Sequence, residues 1–258
     1  MAQSCLWIVA LPLTAFVIQA LVGKRLPRHG DWVSVLAILG SFVLATPIFL
    51  KLLSSGHVND SLQFNWMVMP GVQKAVTITV GVLVNNLTAI MLFMVTLCAS
   101  LIHIFSTGYM HGESRYHLFF AYISLFSAGM LGLVISDNLL TLFMCWEVMG
   151  LCSYLLIGFY YQKLSANHAS LKAFMTTRVG DVMFFLGICG LYYVFGTSNL
   201  TQIYEGIKSG VGSNVTLVGM PALTFIGFML MMGTIGKSAQ FPLQVWLPDA
   251  MEGPTPVS

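Results

Sequence analysis

Charge is what this sequence has least of. Of its 258 residues only 8% are Asp, Glu, Lys or Arg, about a third of the share a soluble domain carries. Eleven basic and nine acidic side chains cannot coat the water-facing surface of a chain this long, which excludes a soluble enzyme. A basic tract is absent as well. The net charge of +2 and the lack of a long Lys/Arg run leave no electrostatic footprint for nucleic acid. Cysteine is scarce, and Cys5, Cys98, Cys145, Cys152 and Cys189 all fall in apolar stretches. They form no C-x-x-C and no Cys/His pair at ligand spacing, so no disulfide framework, iron-sulfur site or metal site follows and they read as packing residues. No basic segment precedes the first apolar run and no clear small-residue cleavage site follows it, which makes that run a retained span. Phosphate-binding glycine loops, haem, flavin and nucleotide motifs, and Ser/His/Asp or Cys/His constellations are missing too, so the chain itself is expected to hold no cofactor and to do no redox chemistry.

What the sequence has is apolar length: 57% hydrophobic residues at a mean hydropathy of +0.84. Runs of about 20 residues, enough to cross roughly 30 Å of hydrocarbon as a helix, occupy 4–23, 32–51, 79–104, 117–135, 139–160, 171–195 and 220–241. They are continuously apolar, whereas barrel strands alternate. The expected fold is therefore all-α, a polytopic membrane bundle of about seven transmembrane helices forming a single membrane domain over 1–258. Lys24, Arg25 and Arg28 follow the first span, and Arg115 and Lys163 fall in later linkers on the same side, which places that side in the cytoplasm. Lys74 and Lys208 lie opposite, and the linker 52–78 has room for a small hairpin. No repeat, low-complexity tract or flexible linker divides the chain. It ends abruptly at Gly253-Pro254-Thr255-Pro256-Val257-Ser258, which reads as truncation.

Four charges fall where a bilayer tolerates them poorly: Glu147 in the fifth span, Arg178 and Asp181 in the sixth, and Lys237 late in the seventh. At about 2.5–3.5 kcal/mol each on the insertion scale, they cost roughly 10–14 kcal/mol if unpaired, so they require partners or a function. Arg178 and Asp181 stand three positions apart and are expected to pair on one helix face. The plain alternative makes all four structural ion pairs. The sharper one is a proton or ion path, because a desolvated lysine loses its proton more readily and a nearby carboxylate opposes that loss. Backbone features point the same way. Pro242, Pro248, Pro254 and Pro256 with Gly233, Gly236 and Gly253 crowd the segment around Lys237, so the seventh span is expected to break at Pro242, as helices do at transporter sites. A helix that simply stops at Phe241 is the alternative. His103 and His168 stand near helix ends, where water solvates them; a relay role is the less ordinary reading. The methionines and the aromatic pairs read as packing and lipid contact.

Four blocks in order carry a resemblance: Trp146-Glu147 with Gly150-Leu151-Cys152-Ser153-Tyr154-Leu155-Leu156-Ile157-Gly158-Phe159-Tyr160; Thr177-Arg178-Val179-Gly180-Asp181; Gly236-Lys237-Ser238-Ala239-Gln240-Phe241-Pro242-Leu243; and Gly253 to Ser258. From about residue 80 onward the chain resembles the L-subunit family of the proton-pumping NADH-quinone oxidoreductase, respiratory complex I. The first 80 residues add only compatible spans. The resemblance implies an antiporter-like subunit of two inverted five-helix repeats, each with a broken helix, moving protons while other subunits pass electrons from NADH to quinone. NADH, quinone, FMN and iron-sulfur clusters then belong to those subunits, and the partners are other membrane subunits and the lipid bilayer. Glu147 resembles the family's fifth-helix glutamate, Asp181 its sixth-helix aspartate and Lys237 its broken-helix lysine. Asn85 stands where the family commonly has an aspartate. The implied location is a bacterial cytoplasmic (inner) membrane, with the chain as less than half of a subunit. The same core serves in sodium/proton antiporters, membrane hydrogenases and inorganic-carbon uptake complexes, so a subunit without redox coupling is a second expectation and a structural scaffold a third.

Overall fold

A computed structural model describes residues 1–69, 76–212 and 215–257; Lys74 and Ser258 lie outside the described residues. The chain forms helices α1 (Ala2–Val22), α2 (Asp31–Ser55), α3 (Asn86–Tyr109), α4 (Tyr116–Ile135), α5 (Leu139–Ile157), α6 (Leu164–Phe195), α7 (Leu200–Lys208) and α8 (Ala222–Lys237). A hairpin of β1 (Asp60–Met69) and β2 (Val76–Val84) joins α2 to α3. Six helices, α1 to α6, are long and apolar enough to cross a membrane. The 16 residues of α8 reach only about 24 Å, short of the hydrocarbon thickness. The architecture is the polytopic helical bundle expected from hydropathy, with the seventh expected span, α8, cut short.

Three boundaries differ from the sequence expectation. The third span starts at Asn86, not at 79, because the apolar residues before it form β2. That run is rich in Val, Thr and Ile, which favour an extended backbone, and Asn85 ends it by capping α3, its side chain accepting from the Thr88 N–H at 2.9 Å. A cap needs a short polar side chain and no charge, which is a sufficient structural role for Asn85. The hairpin thus runs from Asp60 to Val84 rather than within 52–78. The sixth helix starts at Leu164, seven residues before the expected 171, because its first two turns carry Ser165, Asn167, His168 and Ser170 and escape a hydropathy reading. The short amphipathic α7 fell between expected spans.

The two ends of the bundle are built differently. At one end β2 bridges to the α4–α5 connection through Val82 and Ser136, and that connection bridges to the α6–α7 connection through Asn138 and Asn199. Asn138 also donates to the Thr79 carbonyl at 2.8 Å. Ala2 N–H donates to Asp60 Oδ2 at 2.9 Å and, with the Met1 amine, holds that carboxyl below its usual range. The opposite end holds Lys24, Arg25, Arg28, Arg115 and Lys163 in the connections after α1, α3 and α5, the separation of basic residues that orients membrane proteins.

Within the bundle, Cys5, Ile8, Ile38, Leu92 and Leu131 pack α1 to α4 together with Val82 of the hairpin. Phe184, Ile188, Leu191, Ile203 and Ile226 pack α6 with α7 and α8. The α6–α8 contact is close enough to need glycine. A β-carbon on Gly180 would come within 2.8 Å of the Met232 carbonyl oxygen. This is backbone against backbone, the small-residue packing that membrane helices use in place of a hydrophobic driving force. Large apolar side chains such as Trp7, Leu21 and Val43 remain exposed, as lipid-facing surfaces require. Of the cysteines, Cys5 and Cys152 are buried and Cys98 and Cys189 are on the outer faces.

Candidate functional site

The site lies where α5, α6 and the end of α8 meet, and each element delivers its residues for a local reason. Asn138 caps α5, accepting from the Leu140 N–H at 2.7 Å, which sets Trp146 and Glu147 midway along the helix. Helix α8 stops at Lys237 because the Pro242 ring would clash with the carbonyl four residues back, that of Ser238, and offers no N–H to it. Ala239 takes a left-handed conformation, with φ of 49°. The break therefore falls at Ser238–Ala239, a turn before the expected Pro242, and Phe241 is not the last helical residue. One carbonyl freed by it, that of Gly236, accepts from Trp246 Nε1 at 3.0 Å.

The four intramembrane charges form two ion pairs, but not along α6 as the spacing led one to expect. Arg178 pairs with Glu147 of α5, and Lys237 Nζ lies 3.4 Å from Asp181 Oδ2. Residues three apart differ by about 60° round a helix. That offset lets the short Asp181 face α8 while the long Arg178 reaches across to α5 and lies over the Phe174 ring, 4.7 Å from its centroid. Asp181 is nearly inaccessible, its side chain 3% exposed, against 19% for Lys237, 22% for Glu147 and 37% for Arg178.

Trp146 belongs to one of the blocks that carry the resemblance but is not among the site residues expected from sequence. Its Nε1 donates to Asp181 Oδ1 at 2.6 Å, its ring stacks on Phe184, and Lys237 Nζ lies 5.9 Å from its centroid. An indole N–H in mid-span needs an acceptor, and that requirement was the available signal. Gly150, of the same block, has no expected site role either, yet a β-carbon there would meet Lys237 Nζ at 2.5 Å. The ammonium thus packs against the turn of α5 that follows Glu147. Among the described residues Lys237 Nζ has no hydrogen-bond partner of proper geometry; it has the Asp181 contact and the indole face. A cleft of about 390 Å³ opens beside the cluster, lined by Phe143, Glu147, Arg178, Asp181 and Phe185 among others.

His103 and His168 fall in different places. His103 is not solvated at a helix end: α3 continues to Tyr109, and the ring is fully buried with Nδ1 2.7 Å from the Ala99 carbonyl oxygen. His168 lines a second cleft of about 520 Å³ at the basic end, with Ser165, Lys172, Asp249 and Glu252. Lys172 pairs with Asp249 at 2.7 Å there, and Ser165 donates to Glu252 at 3.2 Å.

Residues 136–258 match the family described as NADH:quinone oxidoreductase/Mrp antiporter, transmembrane. Residues 66–120 match the N-terminal family of chain 5 of NADH-ubiquinone oxidoreductase, complex I. The chain is 42% identical over 96% of its length to the F(420)H(2) dehydrogenase subunit L of Methanosarcina mazei, of which it covers 38%. It is 40% identical over 97% of its length to the NADH-quinone oxidoreductase subunit L of Neisseria meningitidis, again covering 38%. The likeness therefore includes the first 80 residues, and the chain spans well under half the length of these relatives. The fold is shared with a chain of the Mrp complex from Dietzia sp., at a TM-score of 0.76 and 24% identity over 98% of this chain and 26% of that one. It is shared also with a chain of the archaeal membrane-bound sulfane sulfur reductase, at a TM-score of 0.78 and 18% identity over 99% of this chain and 49% of that one. Matched by the two family models over residues 66–120 and 136–258 and by subunit L sequences over nearly all of its length, this integral membrane chain belongs to the NADH:quinone oxidoreductase/Mrp antiporter family of antiporter-like membrane subunits.

Proposed function

We propose that the chain forms part of a proton-translocating membrane subunit of an NADH-quinone oxidoreductase, with Lys237 as the group that gains and loses the proton. The observation that carries this is the state of that ammonium: it stands at a helix break, at membrane depth, with a single ion-pair contact at 3.4 Å and no proper hydrogen bond among the described residues. A structural lysine at that depth is expected to be tied down by several acceptors. A carboxylate brought to a buried ammonium favours its charged form, and one withdrawn favours release. Two carboxylates are available to Lys237. Asp181 is held by the Trp146 indole, while Glu147, one turn from Gly150, is held by Arg178. Exchange of Glu147 between Arg178 and Lys237 would load and unload the site. In this reading protons enter from the cytoplasmic side through the cleft at the basic end, which holds His168, Lys172, Asp249 and Glu252. Electron carriers, NADH, FMN, iron-sulfur clusters and quinone, belong in this reading to other subunits of the assembly, and the membrane is the bacterial cytoplasmic one.

Lys237→Met in the full-length subunit of the assembled complex tests this. Proton translocation into sealed vesicles, followed with a pH-sensitive dye per electron passed to quinone, is expected to fall at least roughly tenfold, with Lys237→Arg also impaired because arginine does not release its proton. Unaltered pumping in an assembled complex would leave the chain a scaffold. A second reading, an antiporter subunit without redox coupling, is favoured by the Mrp antiporter half of the matched family; sodium-dependent exchange in the absence of quinone would support it.

A further inference from the structure

The basic end of the bundle carries a feature that the ion path does not use. Between α1 and α2 the chain turns at Gly23 to Gly30, exposing Lys24, Arg25, Arg28 and His29. Arg28 and His29 both adopt left-handed conformations, with φ of 54° and 55°, followed by Gly30 at 75°. Two successive non-glycine residues in that region are costly and persist only where their surroundings impose them. The surroundings are visible. The buried Gln19 side chain donates to the Gly30 carbonyl, and Arg28 reaches Asp31 at 3.1 Å.

The charges around this turn do not balance. Asp31 is 2% exposed, and its oxygens are occupied by the Tyr116 hydroxyl at 2.9 Å, the Trp32 N–H at 2.7 Å and Arg28. It answers Arg28 and faces inward. Lys24 and His29 both lie within electrostatic reach of His117 on the first turn of α4, and neither Lys24 nor Arg25 has a carboxylate in ion-pair range among the described residues. The two helices that flank the turn expose apolar side chains close to it in sequence: Leu21 of α1 is 78% exposed, and Trp32 and Leu36, one turn apart on α2, are 45% and 59% exposed. Tryptophan is the side chain that favours the headgroup level.

We propose that this turn is a binding site for an anionic phospholipid, its phosphate held by Lys24, Arg25 and His29 and its acyl chains lying against Leu21, Trp32 and Leu36. Charge selects the headgroup, because a choline would add a cation to a patch already in excess. The apolar flank selects a lipid over a free anion. Basic pockets between helices on the cytoplasmic side are places where such headgroups bind.

The test uses the intact assembly in phosphatidylcholine nanodiscs containing a trace of diazirine-labelled phosphatidylglycerol, with the labelled peptides mapped by mass spectrometry. Label is expected to concentrate on residues 21–36, to fall roughly fivefold for each of Lys24→Gln and Arg25→Gln, and to be competed by unlabelled phosphatidylglycerol. Lys24→Arg should restore it. Neither variant touches the Arg28–Asp31 contact that holds the turn, and an unchanged thermal midpoint of the assembly verifies that the fold is intact. Equal labelling by a phosphatidylcholine probe, or labelling indifferent to both substitutions, would overturn the proposal. So would competition by inorganic phosphate, which marks a free-anion site, or absence of label under every lipid composition, which marks a turn covered by a neighbouring subunit.

Discussion

Helix α3 and the trio α5, α6 and α8 both bury polar groups in the bilayer, and they satisfy them in opposite ways. Beyond the first turn of α3, where Thr88 donates to the Leu83 carbonyl of β2, the buried hydroxyls turn back on their own helix: Thr96 donates to Leu92 at 2.7 Å, Ser100 to Thr96 at 2.7 Å and Ser106 to Ile102 at 2.6 Å. His103 also points one ring nitrogen at a carbonyl one turn back. In the trio each bond of the charged groups crosses from one helix to another, Arg178 to Glu147, Lys237 to Asp181 and Trp146 to Asp181. A bond inside a helix survives any rigid movement of that helix, whereas a bond between helices is made and broken by it. Polarity held locally gives a stable span; polarity held across a helix break gives a switch.

The sharpest way to test this contrast is a double-mutant cycle on Glu147 and Arg178. Each of Glu147→Gln and Arg178→Gln removes one end of the cross-helix pair and leaves the other charge at membrane depth, so each is expected to lower the thermal midpoint of the assembled complex. The double variant should lose less than the two together, with a coupling of about 0.5–3 kcal/mol. It should still fail to pump, since Glu147 can no longer exchange partners. Additive losses would mean that the two side chains are independent, and the trio would then be no different from α3.

The identity of these four residues was legible in the sequence, and their pairing was not. An Asp, a Glu, a Lys and an Arg inside apolar runs are visible to any hydropathy reading because the bilayer makes them expensive. Which partners they choose depends on how helices distant in sequence rotate against one another, and the three-residue spacing of Arg178 and Asp181 pointed to the wrong pair. The helix break was legible from Pro242 to within a turn, its exact place being set by the carbonyl that the ring excludes, at Ser238. Spans with clean apolar ends were read to within a few residues. The third was misplaced because β2 is as apolar as a helix, and only its β-branched content and the Asn85 cap tell them apart. Trp146 and Gly150 escaped because a tryptophan and a glycine in a span are ordinary until a carboxylate and an ammonium are found beside them.

Asp137 tests whether a buried carboxyl bonded between elements is enough to mark an ion path. It is 1% exposed, outside the spans, in the α4–α5 connection. Its Oδ2 accepts from Asn199 at 3.2 Å, its N–H reaches the Gly81 carbonyl at 3.4 Å, and burial raises its carboxyl above the ordinary value of 3.8. The folded state thus prefers the protonated form. Its contribution to hairpin docking is full below the ordinary value and is lost as the pH rises through the raised one. Hydrogen exchange at Gly81 to Val84, corrected for the intrinsic rate, is expected to show protection declining as the pH rises above about 4. In Asp137→Asn that decline should vanish and pumping should persist. Loss of pumping in that variant would extend the ion path to the hairpin end and blur the contrast drawn here.

The smallest effect is expected on α3, where the contrast predicts almost none. The Ser100 hydroxyl donates to the Thr96 carbonyl, an oxygen that already accepts the backbone N–H of its own helix turn. Ser100→Ala therefore leaves no orphaned acceptor, removes a bond that adds little to the helix, and substitutes a better helix former. A change of about 1 kcal/mol or less in the stability of the assembly is expected, with pumping per electron equal to that of the unaltered subunit. A selective loss of pumping without loss of stability would show that the α3 hydroxyls pass protons along the helix. Local satisfaction would then no longer separate a span from a path.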